Sequence, residues 1–449
     1  MGDRSWLSAV TLALLLLVAG CAAPYASDTA TESPDTETTD PSQRTSTETA
    51  RDATSSDTSD EKAGSEPGID SPNGTGTAVG QSERVVVKNG SLSVNATEVY
   101  QRVERLMGVD ADTPTVQIRQ LGAADFSRGR VSPRYRALGY QSDPGNGSRC
   151  GSFAPAYAAS DEVIISPGNL TETGAELVLA HEYVHIIQRN VEGYDNLSAV
   201  GSHGLRRAVT EGTAVYVADA YARKYDKSWH DTTPLGIREC LYRSVGDTGR
   251  ELSGRYYFGG RYFDQRLNSS TDISSVYRSP PNTTEQLVHG LAPSAEPPVD
   301  LSVTFEGTES WQANRPERMG ELGVRTWLHT ELPQDRVDAA ATGWGNDTLA
   351  SFGEENRTGV TWVTRWDTSS DADEFADAVD DIGGELETAD VATLRHVRVS
   401  ERTVVVFAGN ESFVDGAEAT GNGGNVTVTA PRGPSDEISS ARRGPPVVS

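Results

Sequence analysis

The residues best suited to chemistry are His181-Glu182-Tyr183-Val184-His185. They lie in ETGAELVLAHEYVHIIQRN, whose composition predicts a helix. On a helix, residues four apart leave the same face one turn apart. Two imidazoles so placed can hold one tetrahedral Zn2+ at about 2.0–2.1 Å each. Glu182 projects beside them, where its carboxylate can take a proton from water at the metal. A third ligand follows at Glu211, in the helical pattern RRAVTEGTAVYVADAYARKY. Ala214, Val215, Ala218 and Ala222 form a small-residue seam on it. Such a seam lets two helices approach closely enough for Glu211 to reach the metal. The expected cofactor is one Zn2+ per chain.

Other elements must hold this pair of helices. Leu179, Tyr183, Ile186 and Ile187 give the first helix an opposite face that can dock on a core. Thr171 or Thr173 can cap its start, and the Gly201–Gly204 turn precedes the second helix. The edge strand DEVIIS (161–166) stands directly before the first helix. Upstream, ERVVVKNGSLSV reads as a strand, an Asn89-Gly90 turn and a second short strand. Asn95 then caps the helix ATEVYQRVERLM, which Gly108 ends. TVQIRQL (115–121) alternates as a strand. Downstream, VTWVTRW (360–366) and TVVVFAG (403–409) read as strands and DADEFADAVDDIG (371–383) as a helix. Helices and strands mix without regular βαβ alternation, which gives an α+β class.

HEYVH followed by EGTAVY resembles the gluzincin branch of zinc metallopeptidases, in which HExxH is joined by a downstream Glu in an E-G-x-A helix. YYFGGRYFDQRL (256–267), YRSPPNTTEQLVH (277–289), GWGNDTL (343–349) and WVTRWDTSSDADEFADAV (362–379) extend the likeness. They occur in the same order in bacterial and archaeal secreted metallopeptidase-like proteins. The likeness covers residues 84–408 and is closest to haloarchaeal surface lipoproteins of unassigned activity. It implies a zincin-like catalytic domain at 83–300 and a C-terminal mixed α/β domain at 301–410. It also implies that His181, His185 and Glu211 are zinc ligands and that Glu182 is the general base. Thermolysin-like members place an Asp four residues after the ligand Glu to orient a ligand His. Here that position is Val215, so Asp219 or a backbone carbonyl must serve. Tyr257 is the first choice for a transition-state donor, with His203 and Arg206 as alternatives.

The remaining singled-out residues have simpler readings. His230, His289, His329 and His396 are surface or capping residues. Asn282-Thr-Thr-Glu285 resembles a capping box. Trp344, Trp362 and Trp366 suit core packing.

The composition narrows the setting. The chain has 449 residues and a net charge of −26, with 65 Asp+Glu against 39 Lys+Arg. Such acidity argues against nucleic acid, whose phosphates need a basic face. Only Lys62, Lys88, Lys224 and Lys227 are lysines. A Lys-poor acidic surface resembles that of halophilic archaeal proteins, where carboxylates stay hydrated while salt screens their repulsion.

Residues 1–21 read as a lipoprotein signal peptide ending in Val18-Ala19-Gly20-Cys21, with Cys21 as the lipid site and membrane anchor. Residues 22–82 are rich in Ser, Thr, Asp and Glu and read as a disordered acidic tether, since they can bury too little apolar surface to offset ordering. Residues 411–449 read as a flexible tail. Removing Cys21 leaves one pair, Cys150 and Cys240, expected to be bridged; two buried free thiols are the alternative. Asn-x-Ser/Thr sequons such as Asn89, Asn169 and Asn346 fit a glycosylated extracellular face. These readings combine into a lipid-anchored zinc metallopeptidase facing outward, acting on peptide or protein substrates. The rival is an inactive or structural cell-surface lipoprotein that keeps the fold.

Overall fold

The structure, a computed structural model, describes residues 84–121, 131–141, 147–151, 155–168, 170–354, 357–388 and 392–432. The signal peptide with Cys21, the 22–82 tether, Asn169 and residues 433–449 lie outside the described residues. Among the described residues, no helix is long and apolar enough to cross a membrane.

The chain opens with β1 (Val86–Lys88), α1 (Ala96–Met107) and β2 (Thr115–Ile118). The Asn95 side chain caps α1 by accepting from Glu98 N, and Gly108 ends it in a left-handed conformation, φ 65°. SLSV (91–94) is not a strand, because Leu92 and Val94 pack against the core without a ladder partner. Next come α2 (Pro133–Ala137), β3 (Ala156–Ala159) and β4 (Glu162–Ile165). The sheet order is β1-β2-β4-β3, with β3 antiparallel to β4 and the other pairs parallel. DEVIIS is therefore an inner strand, not the edge. The edge strand on that side is β3, with sequence AYAA, extended by its pairing with β4.

Two long helices follow, α3 (Glu172–Ile187) and α4 (His203–Lys224), capped by Thr171 and Ser202. Residues Gly174 to Ile187 of α3 are all buried, so α3 is a central helix with no solvent face. Glu176 ties it to its neighbours: its carboxylate accepts from Tyr221 OH at 2.6 Å and pairs with Arg102 at 3.0 Å and Lys227 at 2.8 Å. Then come α5 (Pro234–Ser244), α6 (Asp247–Arg266), α7 (Ile273–Arg278) and α8 (Thr284–His289). Helices α4 and α6 meet backbone to backbone. A Cβ on Gly212 would lie 2.3 Å from the Gly259 carbonyl carbon, and one on Gly259 would lie 2.1 Å from the Ala208 carbonyl oxygen. A disulfide joins Cys150 to Cys240, Cα to Cα 5.6 Å, fastening α5 to the segment before β3. Closing a loop of 90 residues contributes about 4–5 kcal/mol in the chain-entropy account.

The rest is built on β5 (Ser302–Glu306), α9 (Gly320–Leu328), α10 (Gln334–Ala341), β6 (Trp344–Glu354), β7 (Arg357–Trp366), α11 (Ser369–Thr388), β8 (Thr393–Ser400), β9 (Thr403–Gly409), α12 (Glu411–Gly416), β10 (Glu418–Asn422) and β11 (Asn425–Thr429). An antiparallel sheet runs β6-β7-β9-β8. Alternate residues of β9 serve opposite faces: Val404, Val406 and Ala408 enter one core with α9–α11, while Val405 and Phe407 enter another with α12 and β11. Trp344, Trp362 and Trp366 are buried in the first of these.

The boundaries expected from sequence are corrected in two places. Residues 411–429 are not tail: they form α12, β10 and β11, and β11 pairs in parallel with β5. Nor is the break at 300 clean, because Ala137, Leu138 and Tyr140 pack into the core of the later sheet. All described residues belong to one compact unit. The fold is α+β.

Candidate metal centre

His181 and His185 project from α3 and Glu211 from α4, and the three meet. His185 Nε2 lies 3.3 Å and His181 Nε2 lies 3.6 Å from Glu211 Oε2. Two ligands of a tetrahedral zinc stand about 3.4 Å apart when each bond is about 2.0–2.1 Å. All three residues are buried, and the three facing atoms make no hydrogen bond. Three inward-facing buried atoms without partners are costly unless something completes them. Among the described residues this is the one cluster of His, Cys, Asp and Glu that could hold a metal.

The two imidazoles are shifted in opposite directions. Burial, then the neighbouring charges of His185 and Arg238, push His181 down to about 4, so its ring is neutral. Burial opposes ionisation of Glu211, but the two imidazoles outweigh it and hold the carboxylate well below its usual range. Its other oxygen, Oε1, is 3.7 Å from Arg207 Nε, one turn earlier on α4. Against the cost of burial, Glu211 and then the buried Glu182 raise the pKa of His185.

His185 is oriented by a residue that sequence reasoning missed. The Gln188 side-chain amide lies 2.7 Å from His185 Nδ1. Gln188 Oε1 faces Tyr277 OH, a donor 2.8 Å away, and the same hydroxyl lies 2.8 Å from Thr213 Oγ1. Thr213 in turn donates to the Val209 carbonyl. Gln188 thereby braces the His185 ring at Nδ1 while Nε2 faces Glu211, the orientation that a metal ligand at Nε2 requires. The Asp219 alternative fails: its carboxylate accepts from Leu235 N at 2.9 Å and pairs with Arg223 at 2.7 Å. Gln188, three residues beyond HEYVH, was readable in the sequence; Tyr277 and Thr213 were not.

Among the described residues, Tyr257 meets Tyr242 and Phe258 and none of His181, His185 and Glu211. Its ring stacks on Tyr242, centroids 5.8 Å apart. The tyrosine beside the metal ligands is Tyr256, whose buried ring lies against His181 with centroids 6.0 Å apart. Successive helical residues diverge in direction, so only one of this pair can face α3. His203 and Arg206 line a separate cavity at the start of α4. Two further sequence blocks acquire structural roles. The Asp347 carboxylate accepts from Met319 N, Gly320 N and Trp362 Nε1, and so caps α9. The cap of α8 is Thr283, not Asn282, with its side chain accepting from Gln286 N.

A family model described as a domain of unknown function, DUF8575, matches residues 309–440, C-terminal to every residue of the metal cluster. No curated protein and no solved structure matches the chain.

Proposed function

We propose that this chain is a zinc-dependent metallopeptidase with a zincin-like site, held outside the cell by lipid on Cys21. The observation that carries the reading is the convergence of three buried, otherwise unpartnered ligand atoms from α3 and α4 at tetrahedral spacing. His181, His185 and Glu211 would hold the zinc. When bound, zinc supplies Lewis acidity that makes water nucleophilic near neutral pH and polarises a carbonyl. Glu182 accepts the proton given up by the attacking water and delivers it to the leaving amine. Gln188 keeps His185 Nε2 aimed inward, and Tyr256 walls the site beside His181.

The test combines metal analysis with hydrolysis of an unstructured protein substrate. Wild-type protein should carry one zinc per chain and Glu211→Ala almost none. Glu182→Gln should keep its zinc and lose hydrolysis by about 10²-fold or more. Equal hydrolysis by wild type and Glu182→Gln would defeat the reading.

A further inference from the structure

Five arginines of this acidic chain line one cavity of about 520 Å3, a volume typical of ligand sites. Arg206 comes from the first turns of α4, Arg255 from α6, Arg134 from α2, and Arg315 and Arg318 from the segment before α9. Two glutamates share the lining, and both are committed: Glu317 pairs with Arg134 and Glu251 with Arg255. Arg206, Arg315 and Arg318 form no ion pair among the described residues. The cavity thus concentrates three positive charges without an ion pair, of which Arg318 also acts on the buried Asp347, in a molecule of net charge −26. His203, also in the lining, registers that field. Burial first, then Arg255, Arg206 and Arg207, lower its pKa.

The cavity and the metal cluster share two helices. Arg206 adjoins Arg207, whose Nε is 3.7 Å from Glu211. Arg255 adjoins Tyr256, whose ring lies beside His181. A guanidinium presents a planar fork of donors that matches a carboxylate, and a concave basic wall focuses its field on anions. Here the free guanidiniums come from two separate segments, which suits several carboxylates along an extended chain better than one compact anion.

We propose that this cavity binds the Asp and Glu side chains of a peptide, seated on Arg206, Arg315 and Arg318, and so selects acidic segments for the neighbouring cluster. The selection rests on the peptidase reading; the binding does not.

The test uses fluorescence anisotropy on the full chain carrying Glu182→Gln. One labelled peptide is rich in Asp and Glu, and its control carries Asn and Gln instead. The acidic peptide should bind about ten-fold or more tighter. Arg206→Ala combined with Arg318→Ala should reduce that ratio below about three-fold, with the fold checked by circular dichroism. Arg336→Ala, on α10 and paired with Asp381, should leave it unchanged. Equal binding of the two peptides, or a preference that survives the double substitution, overturns the proposal. So does displacement of the acidic peptide by inorganic phosphate at concentrations where matched chloride has no effect, which would make this a small-anion site. Wild-type cleavage of the same peptides separates the two ideas. Preferential binding with no cleavage of either peptide supports the acidic site and counts against the peptidase. Cleavage of both at equal rates does the reverse.

Discussion

The side-chain amide of Gln188 lies 2.7 Å from Nδ1 of His185. This contact holds the His185 ring with Nε2 turned toward Glu211, where a metal would sit. It is backed by Tyr277, which lies within hydrogen-bond distance of both Gln188 Oε1 and Thr213 Oγ1, so the amide is itself held in place. Gln188→Ala should weaken zinc affinity by about 10–100-fold, read by competition with a chromophoric chelator. Gln188→Glu, which offers an acceptor to Nδ1–H, should recover most of that loss. Unchanged affinity in the alanine variant would refute the orienting role.

The two adjacent tyrosines of α6 should behave differently. Tyr256→Ala opens the wall beside His181 and should lower hydrolysis by about ten-fold or more. Tyr257→Phe, whose ring stacks on Tyr242 away from the cluster, should stay within about two-fold of wild type. A larger effect from Tyr257→Phe would restore that residue as a candidate donor.

Gly212 and Gly259 allow α4 and α6 to touch. Gly212→Ala places a Cβ 2.3 Å from backbone that cannot move alone. It should destabilise by about 3 kcal/mol and displace Glu211, its neighbour on α4. Gly384→Ala in α11 is the control, because nothing lies within 4 Å of its added Cβ. There the helix gains about 0.5–1 kcal/mol. Thermal unfolding of the two variants should shift in opposite directions.

Glu285 gives a pH signature. Burial, then the charges of Glu321, Asp367 and Glu296, push its carboxyl from 4.5 up to about 9. The folded state therefore holds this proton more tightly than the unfolded chain does. The stability from the neutral carboxyl is fully present below pH 4.5 and lost as pH rises toward 9. Glu285→Gln keeps the neutral shape, so its Tm should exceed wild type at pH 8 and converge with it near pH 4.5. A constant Tm difference across that range would count against a buried neutral acid.

The sequence by itself determined the parts that are local. Four-residue spacing placed His181 and His185 on one face, Asn95 started α1, Thr171 was one of two caps offered for α3, and alternation marked β2, because caps and periodicity act within a few residues. The lone pair left after Cys21, Cys150 and Cys240, is bridged as its count suggested. Tertiary structure alone decided the rest. AYAA became the edge strand because β4 offered it a partner, and residues 411–429 became ordered because β5 offered another. Tyr277 reached Gln188 from 89 residues away, and the glycines of EGTAVY and YYFGGRYF met each other across two helices. Chemical type says what a side chain can do, but only the packing of distant segments says which neighbour receives it.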